Sequence, residues 1–329
     1  MPDLSIRAVG TDGGVGKATG STPYCVCVPA RNEAERLPIL LEALAGQDVE
    51  GHVPIAIGLN NTTDRSVDVI EAARLRWGER LLIRVDEITF APALAHAGSA
   101  RRHAMALGAE AMGGRNDAVL ISTDADSRPP PSWVRANLAA LQDGGEVIGG
   151  RLEIDEQDSL PPRMAEARAL WDHYWSTVRA IEDAIDPLAW DPAPRHGDHT
   201  GASLALRVET WRSAGGVPAV PSGEDRALVA AAVALGARLR HPPSVWTRVS
   251  ARTEGRAEGG MAAHMADMSR TLKAGEPLMA PSFDQWRRRS AWRRSQRQAG
   301  SDAGSLAILE KGLPPMARNM ALSRAMEPA

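Results

Sequence analysis

The chain has 329 residues, enough for one large domain or two small ones with an ample core. It is 43% hydrophobic and 24% charged with a formal net charge of −3, so its bulk charge carries no mark of a nucleic-acid binder. The basic residues are 35 arginines and 3 lysines, a bias that weakens any inference drawn from a single arginine.

Residues 1–21 are rich in Gly and Thr, lack periodicity and are expected to form a flexible tail. Within them GGVGKATG falls short of a phosphate-binding loop: its spacing to Gly10 is wrong, Ala18 stands where Ser or Thr is needed, and no strand precedes it. From Tyr24 a β/α alternation begins. YCVCVPA predicts a short buried strand, and 33–46 a helix with apolar residues at 37, 40, 41 and 44. Cys25 and Cys27 would share one face of that strand, a geometry poorly suited to a disulfide, so two buried thiols in a reducing compartment are expected. VPIAIGLN (53–60) predicts a second strand, followed by the polar cluster NNTTDRS, with Asp64 or Ser66 to cap a helix over 67–77. RLLIRVDE (80–87) predicts a third strand, 98–112 an alanine-rich helix, AVLIST (118–123) a fourth strand, 132–142 a helix begun by Ser132, and EVIGGRLEI (146–154) another strand.

Repeated strand–helix units of this length imply an α/β fold, a mostly parallel sheet with helices on both faces. Ligands in such sheets bind at the carboxyl ends of the strands. The polar clusters at 29–33, 60–64 and 124–128 all fall there. The second half is less regular. It has an amphipathic helix over 161–185 carrying Trp171, Tyr174 and Trp175, and a loop rich in Pro, Asp and His over 186–199. TGASLALRVETWRSAGG, a helix from about 224 to 236 and a strand-like SVWTRVSAR follow. Residues 255–260 are glycine-rich, and the last 45 residues are polar, with WRRRSAWRRSQRQ at 286–298 and no clear core pattern at the end. The N-terminus shows no signal-peptide pattern, and the longest apolar run, around 227–237, is shorter than the roughly 20 residues a bilayer requires. A cytoplasmic location is expected. For 286–298, peripheral contact with an anionic membrane and a helix lying against the domain are both open.

In VLISTDADSRPPPSWV a β-forming run stops at Asp124 and Asp126, and prolines follow. Two carboxylates one residue apart at a strand end suit a hard cation such as Mg²⁺ or Mn²⁺, which takes one or two carboxylates together with substrate phosphates. A turn is the alternative use for the same residues.

CVCVPARNEAERLPILLEAL, IAIGLNNTTDRS, GSARRHAMALGAE, VLISTDADSRPPPSWV and GEDRALVAAAVALGARLRH, in this order over about residues 24–250, resemble the family two nucleotide-sugar glycosyltransferases of GT-A fold. The resemblance implies a nucleotide-sugar-binding half over 22–155, an acceptor-binding and catalytic half over 156–260, and a helical, arginine-rich extension over 261–329. It implies that Pro29, Ala30, Arg31 and Glu33 cradle the nucleoside. Asn60 and Asn61 stand where an aspartate usually reads the base. Gly98, Arg101 and Arg102 match the segment on the ribose and diphosphate, and His103 stands where asparagine is common. Asp124, Ala125 and Asp126 match the metal and ribose motif, with Asp126 the first choice for coordination. Asp225 resembles the base that deprotonates the acceptor hydroxyl, with Glu224 orienting the acceptor. The alternative for that pair is a helix N-terminus whose dipole two acids complement, capped by Ser222.

A histidine that many relatives carry after the next strand is missing, and Arg252 and Arg256 are the candidates for the diphosphate there. His196, His199 and His264 are weaker metal-ligand candidates. Trp171, Tyr174, Trp175 and Trp190 form either core or an acceptor platform. The expected protein is thus a glycosyltransferase that moves a sugar from a nucleoside diphosphate to a hydroxyl acceptor (saccharide, lipid-linked or small), inverting and dependent on a divalent metal. A non-catalytic nucleotide-sugar-binding scaffold and a nucleotidyltransferase are the alternatives. The latter lacks its glycine-rich, lysine-bearing loop after the first strand.

Overall fold

The computed structural model describes residues 22–158, 160–252 and 261–324; the tail expected at 1–21, the glycine-rich run at 255–260 and Arg256 lie outside them. The first half runs β1 (Tyr24–Ala30), α1 (Leu37–Ala45), β2 (Val53–Asn60), α2 (Ser66–Trp77), β3 (Leu81–Ile88), α3 (Ala97–Ala111), β4 (Val119–Ser122) and α4 (Trp133–Gln142). Then come β5 (Val147–Gly149), β6 (Arg151–Ile154), the long α5 (Pro162–Ile185), β7 (Leu204–Arg207), α6 (Val208–Ser213), α7 (Glu224–Ala234), β8 (Leu239–Arg240) and β9 (Trp246–Val249). The chain ends with α8 (Met261–Lys273), β10 (Met279–Pro281), α9 (Phe283–Gln298), α10 (Ala303–Lys311) and β11 (Arg318–Ala321).

Seven strands form one sheet in the order β3-β2-β1-β4-β7-β5-β8. β1 pairs in parallel with both β2 and β4, and β2 with β3, so the expected mostly parallel α/β sheet is present. The β-branched and aliphatic runs of β1, β2 and β4 are covered on both faces, as parallel strands require. On one side Leu37, Leu40, Leu41 and Leu44 of α1, at helical spacing, bury completely with Trp133 and Val134 of α4. On the other, α3 lies against Cys27 and Leu120, and Gly108 is needed because a Cβ there would run into Cys27 Sγ. Both cysteines are free and buried.

The connections after β1 and β4 leave in opposite directions across the sheet, which opens a crevice between their carboxyl ends. β7 returns antiparallel between β4 and β5, pairing Leu120 with Leu206 and Ile148 with Ala205. The single strand expected over 146–154 is divided. Residues 147–149 pair in the main sheet, whereas 151–154 leave it to pair in parallel with β9. Gly149 and Gly150 make the break, since a Cβ on Gly149 would meet the Asp198 carbonyl and one on Gly150 the Ser203 hydroxyl.

The polar C-terminal region also has a core that its sequence pattern hides. Phe283 and Trp286 of α9 bury against Tyr174, Val178 and Ile181 of α5; Trp286 Nε1 donates to Tyr174 Oη at 2.6 Å, and Tyr174 Oη donates to the Pro281 carbonyl at 2.8 Å. Tyr174 is therefore core, while Trp175 and Trp190 remain partly exposed. All six arginines of 286–298 bond within the protein. Arg287, Arg289, Arg293 and Arg297 pair with Asp284, Glu310, Glu182 and Asp186, and Arg288 and Arg294 reach the carbonyls of Asp284 and Ile185. That arrangement favours the helix-against-domain reading over a basic membrane face. No helix among the described residues is long and apolar enough to cross a membrane.

Candidate active site

Loops from β1, β2 and β4 meet at the crevice. After β1, Asn32 takes a left-handed conformation at φ 53° and accepts the Thr63 N–H at 2.7 Å, which locks the first loop to the second. Asp64 supports the same junction by accepting the Ala34 N–H at 3.0 Å and the Ser66 hydroxyl at 2.6 Å, and it also accepts the Ser66 N–H at 3.0 Å at the head of α2, where the N-cap residue Arg65 makes no side-chain bond. Arg31 donates to the Ala95 carbonyl at 3.3 Å. Asn60 is buried beside Pro29 and Ala30 at the strand ends. Asn61, also left-handed, uses both ends of its amide on one residue. Nδ2 donates to the Phe90 carbonyl at 2.9 Å, and Oδ1 accepts the Phe90 N–H at 3.2 Å. Its side chain is therefore occupied at the position expected to read a base.

The loop after β4 carries the two aspartates, with Ala125 buried between them. Arg101, from α3, is only 5% exposed and joins four groups. Nη2 bonds Asp124 Oδ1 at 2.8 Å, Nε bonds Glu224 Oε1 at 3.0 Å, and Nη1 bonds Ser122 Oγ at 2.8 Å and the Gly201 carbonyl at 3.0 Å. Burial opposes its charge, but Asp124 and Glu224 outweigh that and hold its pKa above the ordinary arginine value. Gly201 has to be glycine here, because a Cβ would fall on the Arg101 guanidinium.

Arg252 makes a second bridge, with Nη2 at 2.6 Å from Asp126 Oδ2 and 3.0 Å from Glu33 Oε1. Asp126 is pushed up to about 6, first by burial and then by the charge of Asp124, with Arg252 opposing. Three carboxylates (Glu33, Asp124 and Asp126) thus crowd one corner, and an arginine takes one oxygen of each aspartate. Among the described residues no three His, Cys, Asp or Glu side chains form a metal-holding group.

Across the crevice α7 opens with Glu224 and Asp225, where acids complement the helix dipole. Its N-cap is Gly223 at φ 75° with no side-chain cap bond, so Ser222 does not serve as cap. Glu224 is buried and faces Arg101. Asp225 is less buried and accepts the N–H of Gly201 at 2.8 Å and of Arg226 at 2.7 Å. Gly98 packs against the backbone of Pro218 and Val220, where a side chain would not fit. Arg102 is exposed, and His103 Nε2 lies 2.8 Å from Asp86 Oδ2 on β3.

His196 and His199 gather around the buried His241, with ring centroids 5.6 and 5.4 Å away. Burial, followed by the neighbouring His241, depresses His196 to about 3 and His199 to about 4, so both are neutral at ordinary pH. His264 instead lies 6.0 Å from Trp171, ring to ring. Ser122, Asp191, Gly201 and His241 carry no local sequence signal that marks them for the site; they join it through bonds to partners 21 to 100 residues away along the chain.

Residues 25–184 match the profile of glycosyl transferase family 2. No curated protein sequence matches the chain. Among solved structures, TarS 1–349 of S. aureus, in complex with UDP-GlcNAc, is 16% identical with a TM-score of 0.48, over 85% of this chain and 73% of that one. The mannosyltransferase PcManGT of Pyrobaculum calidifontis, in complex with GDP-Man and Mn²⁺, is 15% identical at 0.46, over 89% and 80%. Glucosyl-3-phosphoglycerate synthase of Mycobacterium tuberculosis, in complex with phosphoglyceric acid, is 16% identical at 0.41, over 79% and 82%. The stretch that matches glycosyl transferase family 2, residues 25–184, is the one that supplies the β1, β2 and β4 loops of the crevice.

Proposed function

We propose that this glycosyltransferase takes its sugar from a nucleoside diphosphate and delivers it to a hydroxyl acceptor with inversion, aided by a divalent cation. The observation that carries this is the Arg101 bridge. One buried guanidinium links Asp124, at the end where the donor would lie, to Glu224 beside Asp225, where the acceptor would lie. In this reading Asp225 accepts the proton of the attacking hydroxyl. Glu224 contributes by anchoring Arg101, since its burial keeps it from the acceptor. Pro29, Ala30, Arg31, Glu33 and Asn60 would contact the nucleoside, and Arg252 with Arg256 the diphosphate.

Asp124 and Asp126 fit a cation such as Mn²⁺ or Mg²⁺. Both are hard oxygen donors, and each raises the cost of the other's charge, a repulsion that a cation relieves. When bound, the cation would neutralise charge on the departing diphosphate. Arg252 would have to share or release Asp126 for this to happen, and the diphosphate is the natural second partner for its guanidinium.

A melting panel of UDP-, GDP- and dTDP-sugars with Mn²⁺, Mg²⁺ or EDTA tests the donor. A ligand at 100 times its dissociation constant stabilises by about 2.7 kcal/mol. One sugar nucleotide should raise the melt only with metal, and Asp126→Ala should abolish the rise; a panel without any response would sink the reading. Nucleoside diphosphate release should fall by about 10²–10⁴-fold in Asp225→Asn, and wild-type turnover in that variant would exclude Asp225 as the base.

A further inference from the structure

A series of bonded side chains, buried at Asp191 and His241 and half-buried at His199, ends two residues before Gly201, which contacts the start of α7. It begins at Asp191, which is 3% exposed and accepts two bonds from a single residue. The His241 N–H reaches Oδ1 at 2.7 Å, and His241 Nδ1 lies 2.8 Å from Oδ2. A carboxylate at Nδ1 fixes a ring proton there, and Nε2 is left facing His199. His199 Nδ1 lies 3.2 Å from that nitrogen and 3.0 Å from the Gly197 carbonyl. The carbonyl can only accept, so His199 carries its hydrogen on Nδ1. Two residues on, the Gly201 N–H donates to Asp225 Oδ2 at 2.8 Å, while its carbonyl accepts Arg101 Nη1 at 3.0 Å and Ser122 Oγ at 2.9 Å.

Residues 191–203 contain no helix or strand, so the register of Gly201 must come from contacts of this kind. Burial keeps His199 neutral.

We propose that His199, fixed by His241 and Asp191, is a positioning residue that sets the orientation of Asp225 through the Gly201 peptide. The proposal rests on the reading of Asp225 as the base. It makes the loop between α5 and β7 part of the catalytic apparatus, although His199 itself touches no reacting atom.

Hydrogen exchange at the Gly201 amide, followed by NMR on the free full-length protein, tests it without any substrate. The amide of Val26 in β1 serves as the internal control. His199→Ala should raise Gly201 exchange by roughly tenfold or more and leave Val26 unchanged. His199→Asn should restore protection, because its amide N–H takes the place of the imidazole Nδ1–H. Asp225→Ala should also release Gly201, and the double variant should exchange no faster than the faster single one, the mark of one shared interaction. Unchanged exchange in His199→Ala overturns the proposal, as does a parallel rise at Val26, which would mean general loosening, or additive effects in the double variant. The base reading fails by a different route, turnover retained in Asp225→Asn, so the two failures can be told apart.

Discussion

Arg101 is a cation that cannot discharge. Its guanidinium stays protonated at any pH the fold survives, so the four groups around it are organised permanently. Removing it leaves Glu224 buried and uncompensated and frees Asp124, and breaking a buried pair in this way costs about 3–5 kcal/mol. Arg101→Met should therefore lower the unfolding free energy read from a urea titration by that amount. Arg101→Lys should recover only part of it, since one ammonium cannot span Asp124, Glu224 and the Gly201 carbonyl together. Asp126 behaves oppositely, because its pKa of about 6 lies above the ordinary carboxylate value. The sign follows from proton counts. Between roughly pH 4 and 6 the folded chain holds a proton that the unfolded chain has lost, so this residue makes stability fall as pH rises through that window. Asp126→Asn should flatten that slope in a pH series of melts. Cation binding needs the ionised form, so metal-dependent donor binding should weaken as pH drops below about 6, a trend that calorimetry at pH 5.5 and 7.5 would read.

At the scale of elements, the site depends on a close approach of backbone to side chain at Gly201. Gly201→Ala would put a methyl on the Arg101 guanidinium, and either the loop or the arginine has to move. The expected result is lost turnover with a lowered melt, whereas a wild-type melt would mean that the two are less tightly packed. On the far side, Glu182 of α5 receives Arg179, Arg195 and Arg293 at once while only 4% exposed. Glu182→Gln removes the charge that three guanidiniums share, so α9 should detach from α5 early in thermal unfolding, seen as a separate rise in Trp286 fluorescence change before the main transition. These elements also show what can be read from sequence. Strand–helix alternation through α4 is legible because each unit buries a local apolar pattern, and the aspartates stand out because they interrupt one. α9 reads as a solvated charged run because its burial comes from two aromatic residues and its arginines find acids on α5 and α10, partners that no local period reveals. The same reason hides Asp191 and His241, which are 50 residues apart in sequence. Asn61 reads as a base contact until the turn at Phe90 is placed against it.

At the scale of the whole molecule, the family profile ends within α5, and the acids at the head of α7 lie beyond it. The two sides of the crevice are nevertheless one piece, because β7 is inserted between β4 and β5 of the same sheet. That insertion has a consequence for how the protein is made. β4 pairs with β1 soon after it emerges, but its other edge waits for a partner until residues 204–207 are synthesised. A chain halted after α5 would present the unpaired edge of a strand that is otherwise fully buried, the kind of template on which chains associate with one another. Expression truncated at residue 190 should accordingly yield aggregate, and extension through β8 should restore soluble material. The strand that carries the aspartates is thus left half-finished during synthesis, and what completes it is the segment that arrives with Gly201. The protein's most aggregation-prone moment and the assembly of its crevice are the same event.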